Sequence, residues 1–216
     1  MSAADRPPTP SSGVRRAVVR DALRPLTIPN GITLVRLALT PFFVLAVLEG
    51  NARLALVLFA VASVSDLFDG LIARTLGMRS QFGAYLDPIA DKVLLVTAYV
   101  VLTWPGLPEV KIPLWLTVLA LSRDILIVVL SLVMYLAADV RDFRPTLLGK
   151  TTTFSHVVTL FLVLVANVEH VPEPVVLATF YVALALTLAS GAHYMWRSAT
   201  MLERLHDVGP SRGGGT

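Results

Sequence analysis

Cysteine is absent from the 216 residues. Its absence excludes disulfides, thiolate metal sites and cysteine nucleophiles, and leaves oxygen or histidine to hold any metal. Charge is scarce as well: 15% of residues are Asp, Glu, Lys or Arg against 55% hydrophobic, and the mean hydropathy is +0.72. That balance argues against a soluble globular domain and for a polytopic membrane protein. The length admits about six spanning helices of about 20 residues with short loops and tails, and no large separate soluble domain. There is no internal repeat of the kind seen in inverted-repeat transporters, and low complexity is confined to Gly213–Gly215. Met1 to Ser12, polar and proline-rich with no apolar segment behind it, reads as a disordered tail rather than a cleavable signal peptide.

Val14 to Arg24 forms a short basic segment whose apolar residues can share one helical face. It suits either an interfacial helix drawn to anionic lipid heads or a solvated leader that fixes topology. Six apolar runs follow, at about Ile32–Leu48, Leu54–Ala73, Tyr85–Thr103, Pro113–Leu136, Phe154–Ala166 and Val175–Tyr194. The fifth is short and reaches spanning length only by extending back through Thr151–Thr153. Loop charge orients them. Arg6, Arg15, Arg16, Arg20, Arg24, Arg74, Arg79, Arg141, Arg144, Lys150, Arg197, Arg204 and Arg212 fall on one side, and only Arg53 and Lys111 on the other. The expectation is an all-α integral membrane protein with six transmembrane helices and both termini cytosolic. Trp104, Trp115 and Trp196 fall near span ends, as interfacial aromatics do.

Against this apolar background four carboxylates stand out, in Asp66-x-x-Asp69-Gly70-x-x-Ala73-Arg74 and Gly83-x-x-x-Asp87-x-x-x-Asp91. An aspartate at the centre of a bilayer helix is disfavoured by roughly 2.5–3.5 kcal/mol on insertion scales. Spacings of three and four put each pair on one helical face, and the short connection at 75–82 lets the two faces meet. Crowded carboxylates need a compensating cation. An oxygen-only donor set selects a hard one, Mg²⁺ or Mn²⁺, and four carboxylates suit two ions. Such a pair stabilises attacking and leaving oxygens in displacement at phosphorus. Gly70, Ala73 and Gly83 either let a ligand approach the backbone or pack helices together. Arg74 suits a diphosphate or snorkels to the interface, and Lys92 is a charge partner for Asp91.

The pattern D-x2-D-G-x2-A-R-x8-G-x3-D-x3-D, complete from Asp66 to Asp91, resembles the signature of the CDP-alcohol phosphotransferases. Pro29-Asn30-x-x-Thr33-x-x-Arg36 is similar to that family's entry to its first helix. The resemblance implies a tail over residues 1–25, a six-helix catalytic domain over 26–198 and a disordered C-terminal tail over 199–216. It implies that Asp66, Asp69, Asp87 and Asp91 hold two divalent cations and that Asp91 is the general base. Asn30, Thr33, Arg36, Gly70, Ala73, Arg74 and Gly83 would surround the CDP moiety. The implied reaction is attack by an acceptor hydroxyl on the phosphatidyl phosphorus of CDP-diacylglycerol with release of CMP. An inner-membrane, multi-pass homodimer is implied, with its active site facing the cytosol and no nucleic-acid partner.

The acceptor must be read from the second half. Ser122-Arg123-Asp124 and Gly149-Lys150-x-x-Thr153 are similar to phosphatidylglycerophosphate synthases, whose acceptor is glycerol 3-phosphate, although Ser131 stands where those enzymes often carry a second arginine. Arg144-Pro145-Thr146 looks like cardiolipin synthases, whose acceptor is phosphatidylglycerol. Glycerol 3-phosphate is preferred, with Arg123, Arg144 and Lys150 as acceptor-binding residues. His156 reads as a hydrogen-bonded packing histidine in preference to a lining of the acceptor pocket. A cation carrier is the alternative of another class, since intramembrane acidic residues also line ion pathways. Its disadvantage is that all four carboxylates fall in one half of the chain.

Overall fold

A computed structural model describes residues 28–76, 81–105, 108–138 and 146–207, with the backbone alone at 28–30, 32, 66–76, 81–88, 134–135, 137–138 and 202–207. Among the described residues every regular element is an α-helix. They are α1 Ile28–Leu48, α2 Ala52–Leu76, α3 Gln81–Thr103, α4 Leu114–Ala138, α5 Leu147–Ala166 and α6 Glu173–Asp207. The six expected apolar runs fall within these helices, apart from Pro113, which precedes α4. Three described stretches are long and apolar enough to cross a membrane, Leu114–Val133, Leu147–Ala166 and Glu173–Met201, while Thr33–Leu48 and Ala52–Ser65 form shorter apolar helices. The basic segment at 14–24 lies outside the described residues.

The chain divides into two compact units, one of residues 1–43 and 57–95, the other of 44–56 and 96–216. In the first, Phe43 and Phe59 pack with ring centroids 5.9 Å apart, and α1 continues through Pro41. In the second, α6 packs against both α4 and α5. The α1–α2 turn also belongs to this unit. There Gly50 adopts φ 71°, and its N–H bonds the Val47 carbonyl (3.0 Å) while Asn51 N–H bonds that of Ala46 (2.8 Å). This is a Schellman closure, and the left-handed residue it requires is a glycine. Asn51 then turns from closing one helix to opening the next, its Oδ1 accepting from Leu54 N–H at 3.1 Å.

Many large apolar side chains are exposed, and several polar ones are buried among an apolar core. Ile125, Val128, Leu136 and Phe154 are exposed, while Thr33, Thr117, Thr159, Thr187 and Ser190 are buried. Surrounding hydrocarbon removes any gain from hiding apolar side chains, so close packing and interhelical hydrogen bonds hold such helices together. The Thr152 hydroxyl shares its one proton between Leu148 O (2.7 Å) and Leu186 O of α6 (3.1 Å), and the Thr103 and Thr117 hydroxyls join α3 to α4 at 2.5 Å. Asn167, at the C-cap of α5, reaches the α3–α4 connection. Its Oδ1 accepts from Val110 N–H (3.0 Å) and its Nδ2 donates to Val110 O (2.9 Å).

Two boundaries differ from the sequence expectation. α5 starts at Leu147, seven residues before Phe154, because Thr146 caps it, with its hydroxyl accepting from Gly149 N–H at 3.1 Å. The polar run that hides this start is absorbed by back-bonding. Thr151 donates to Leu148 O at 3.0 Å and Thr153 to Gly149 O at 3.1 Å. The expected disordered tail over 199–216 is corrected for its first nine residues, since α6 continues to Asp207. Met201, Leu202 and Leu205 keep a helical apolar spacing there, and the helix breakers Gly209 and Pro210 come only afterwards. Residues 208–216 lie outside the described residues.

Candidate functional site

In the first unit the carboxylates fall on two helices. Asp66 and Asp69 are three apart in α2, with Gly70, Ala73 and Arg74 following on the same helix; Gly83, Asp87 and Asp91 are in α3. The pairs therefore occupy single faces at one-turn spacing, as a shared cation site needs. The side chains of Asn30, Asp66, Asp69, Arg74 and Asp87 lie outside the described residues, as does the whole of Arg144. No group of three metal-ligating side chains is assembled among the described residues.

Asp91 is the carboxylate whose side chain is described, and its Oδ1 is ion-paired with Nη1 of Arg36. Arg36 is 1% exposed, and its Nε donates to the Ala62 carbonyl in α2 at 3.2 Å. One residue thus ties α1 to both α2 and α3. Thr40 donates to the Arg36 carbonyl at 3.0 Å, and Thr33, one turn before Arg36, is fully buried. The planar fork of a guanidinium suits this task, because it can engage a carboxylate and a carbonyl at once. The residue expected beside CDP is therefore joined directly to the expected general base. Nothing in the spacing of residues 36 and 91 announces that contact.

The second unit holds a separate polar cluster. Arg123 in α4 is 8% exposed, and Nη2 donates to Ser190 Oγ of α6 (2.8 Å) and to Gly149 O of α5 (3.4 Å). Nη1 is paired with its neighbour Asp124 at 3.0 Å, and the Tyr194 ring centroid is 6.0 Å from Cζ. Nε is buried without a hydrogen-bond partner among the described residues. A buried donor left unsatisfied costs roughly 1–3 kcal/mol, more when charged, which makes it a natural ligand contact. Lys150, exposed, follows at the first turn of α5, where helix N–H groups and the helix dipole favour an anion. Arg123 and Lys150 are thus brought to one helix end.

The unit also contains a satisfied histidine. Thr187 spends its only proton on Ala183 O (2.6 Å), so its oxygen accepts from His156 Nε2–H (3.1 Å). Nδ1 then accepts from the Tyr99 hydroxyl at 2.5 Å. His156 is a packing residue that joins α3, α5 and α6, in keeping with its lack of metal-ligand spacing to the aspartates.

The sequence profile of the CDP-alcohol phosphatidyltransferase domain matches residues 26–190. The chain belongs to the CDP-alcohol phosphatidyltransferase family. Within the family it is 37% identical over 192 residues to a probable phosphatidylglycerophosphate synthase of Mycobacterium tuberculosis, covering 85% of this chain and 84% of that one. It is 32% identical over 184 residues to the CDP-diacylglycerol--glycerol-3-phosphate 3-phosphatidyltransferase of Bacillus subtilis, covering 77% and 92%. A cardiolipin synthase (CMP-forming) of Rattus norvegicus is 31% identical over 199 residues, covering 83% and 64%. The carboxylate motif that resembles the CDP-alcohol phosphotransferase signature thus lies inside the matched segment. Ser190 and Tyr194, which contact Arg123 from α6, escaped sequence reasoning. A serine in an apolar helix and a tyrosine near a span end are commonplace, and only the folded arrangement distinguishes these two.

Proposed function

We propose that the protein transfers the phosphatidyl group of CDP-diacylglycerol to glycerol 3-phosphate, forming phosphatidylglycerophosphate and releasing CMP. The observation that carries the acceptor assignment is the buried Arg123 guanidinium, which reaches the first turn of α5 at Gly149 O, the residue before Lys150, and whose Nε has no partner among the described residues. That arrangement suits a compact phosphate monoester. Relatives whose names specify glycerol 3-phosphate or phosphatidylglycerophosphate support the same acceptor.

The donor set fits divalent cations, being all oxygen, with two carboxylates one turn apart on each of two helices. Asp66, Asp69, Asp87 and Asp91 would hold two of them, Mg²⁺ or Mn²⁺, whose chemistry when bound is to neutralise the diphosphate and ease displacement at phosphorus. By the family resemblance Asn30, Thr33, Arg36, Gly70, Ala73, Arg74 and Gly83 would surround the CDP moiety. Asp91, held in orientation by Arg36, takes the proton of the acceptor hydroxyl. The acceptor oxygen forms its bond to the phosphatidyl phosphorus as the bond to CMP breaks, with no covalent enzyme intermediate. Arg123, Lys150 and Arg144 bind the acceptor's phosphate. The bias of Lys and Arg among the loops supports six spans with both termini cytosolic and the carboxylates near the cytosolic face of the inner membrane. The protein acts as a homodimer in this reading, on the family resemblance.

Relatives named cardiolipin synthase support phosphatidylglycerol as a second acceptor reading. The purified protein, given CDP-diacylglycerol, Mg²⁺ or Mn²⁺ and in turn glycerol 3-phosphate, phosphatidylglycerol, inositol phosphate or serine, should release CMP with glycerol 3-phosphate. Release with phosphatidylglycerol instead reassigns the acceptor. Metal-independent release, or full activity in Asp91→Asn, refutes the mechanism.

A further inference from the structure

We propose that Tyr194 and Ser190 of α6 are positioning residues that set Arg123 and the first turn of α5 for the acceptor's phosphate. The proposal rests on the reading that Arg123 and Lys150 bind that phosphate.

A guanidinium recognises phosphate well only when its plane is fixed before the ligand arrives. Here the plane is constrained from three sides. Ser190 Oγ and Gly149 O take the Nη2 protons, Asp124 takes one from Nη1, and the Tyr194 ring lies against the group. Those contacts engage both terminal nitrogens, while Nε–H, buried and without a partner among the described residues, is a donor open to a ligand. Ser190 and Tyr194 are four apart in α6, so one helix face supplies both contacts.

Tyr194 also reaches the other half of the anion site. Its hydroxyl oxygen accepts from the backbone N–H of Thr146 at 3.1 Å, and Thr146 in turn caps α5 through Gly149 N–H. The hydroxyl therefore fixes the residue from which α5 starts, and with it the register of Lys150. The fit at Gly149 is close. A Cβ placed there would stand 2.8 Å from the Tyr194 hydroxyl oxygen and 3.3 Å from Arg123 Nη2. Glycine at 149 and tyrosine at 194 are thus matched, and a side chain at 149 would displace the Tyr194 hydroxyl and, with it, the Arg123 guanidinium that meets the phosphate.

The test uses the full-length protein, with kcat and KM measured separately for CDP-diacylglycerol and glycerol 3-phosphate. Tyr194→Phe keeps the ring and removes the oxygen that receives Thr146 N–H. Losing the part-buried bond from Thr146 N–H, about 1 kcal/mol, predicts a roughly five-fold rise in KM for glycerol 3-phosphate. KM for CDP-diacylglycerol stays put, which a general loosening of the fold would not allow. Ser190→Ala behaves the same way. Gly149→Ala raises the acceptor KM further, and adding Tyr194→Phe to it brings that value down, because the hydroxyl that the new methyl meets is gone. Recovery in the double variant supports the matched pair even if Tyr194→Phe alone folds poorly. Multiplicative losses in the double variant, or an unchanged acceptor KM in both Tyr194→Phe and Ser190→Ala, overturn the proposal. Arg123→Lys separates the two levels. If it leaves the acceptor KM unchanged, the acceptor site itself is misassigned. If it raises that KM while the α6 variants do not, only the positioning role falls.

Discussion

Replacing Arg36 by methionine tests how α1 is held to the carboxylate helices. The substitution removes a buried guanidinium while keeping much of its apolar stem. Taking one partner from a fully buried ion pair costs about 3–5 kcal/mol, because the other charge is left uncompensated. The Asp91 side chain is 37% exposed, so water recovers part of that loss, and about 2 kcal/mol is the fitting figure for the pair. Losing the Nε bond to the Ala62 carbonyl adds about 1 kcal/mol. At roughly 2–4 °C per kcal/mol for a chain of this size, Arg36→Met should lower the midpoint of thermal unfolding by about 6–12 °C. Fluorescence of Trp104, Trp115 and Trp196 in detergent micelles gives the readout. Asp91→Asn should destabilise less, and the double variant should lose less than the sum of the two, by about 1–2 kcal/mol of coupling. All three should fail to release CMP, so the double variant separates recovered stability from lost chemistry. A midpoint for Arg36→Met within 2 °C of the parent, or strict additivity in the cycle, would refute the reasoning.

Two further substitutions probe the scaffold. Asn167→Ala leaves the Val110 N–H and carbonyl without their side-chain partner and should cost about 2–3 kcal/mol, seen as a lower unfolding midpoint with the acceptor KM unchanged. Gly50→Ala puts a Cβ on a residue at φ 71°, which costs roughly 1–2 kcal/mol. Asparagine, which tolerates that conformation better, should be milder at 50 in the same measurement.

The parts of this protein that were legible in advance are those written in periodicity and composition. Six apolar runs gave six helices, and the carboxylates announced themselves because each is costly in a hydrocarbon setting. The start of α5 was obscured because Gly149-Lys150-Thr151-Thr152-Thr153 looks like a loop until the threonine hydroxyls are seen bonding the preceding turn. The end of α6 was obscured by the charges after Met201, which mark departure from hydrocarbon without marking departure from helix. Pairings remote in sequence left no trace at all. Arg36 and Asp91 are 55 residues apart, Arg123 and Ser190 67. An arginine in an apolar helix signals that a partner exists, and only folding selects which one.

The Asn167 amide that grips Val110 also sets an order of events during synthesis. The Val110 peptide groups precede their partner by 57 residues. At about 5–20 residues per second, they wait roughly 3–11 s before Asn167 has even been made. Throughout that interval these groups lack their side-chain partner and fall to water. The connection must therefore stay hydrated until α5 is in place, and this corner of the protein is completed late by a residue that arrives after the helices it fastens.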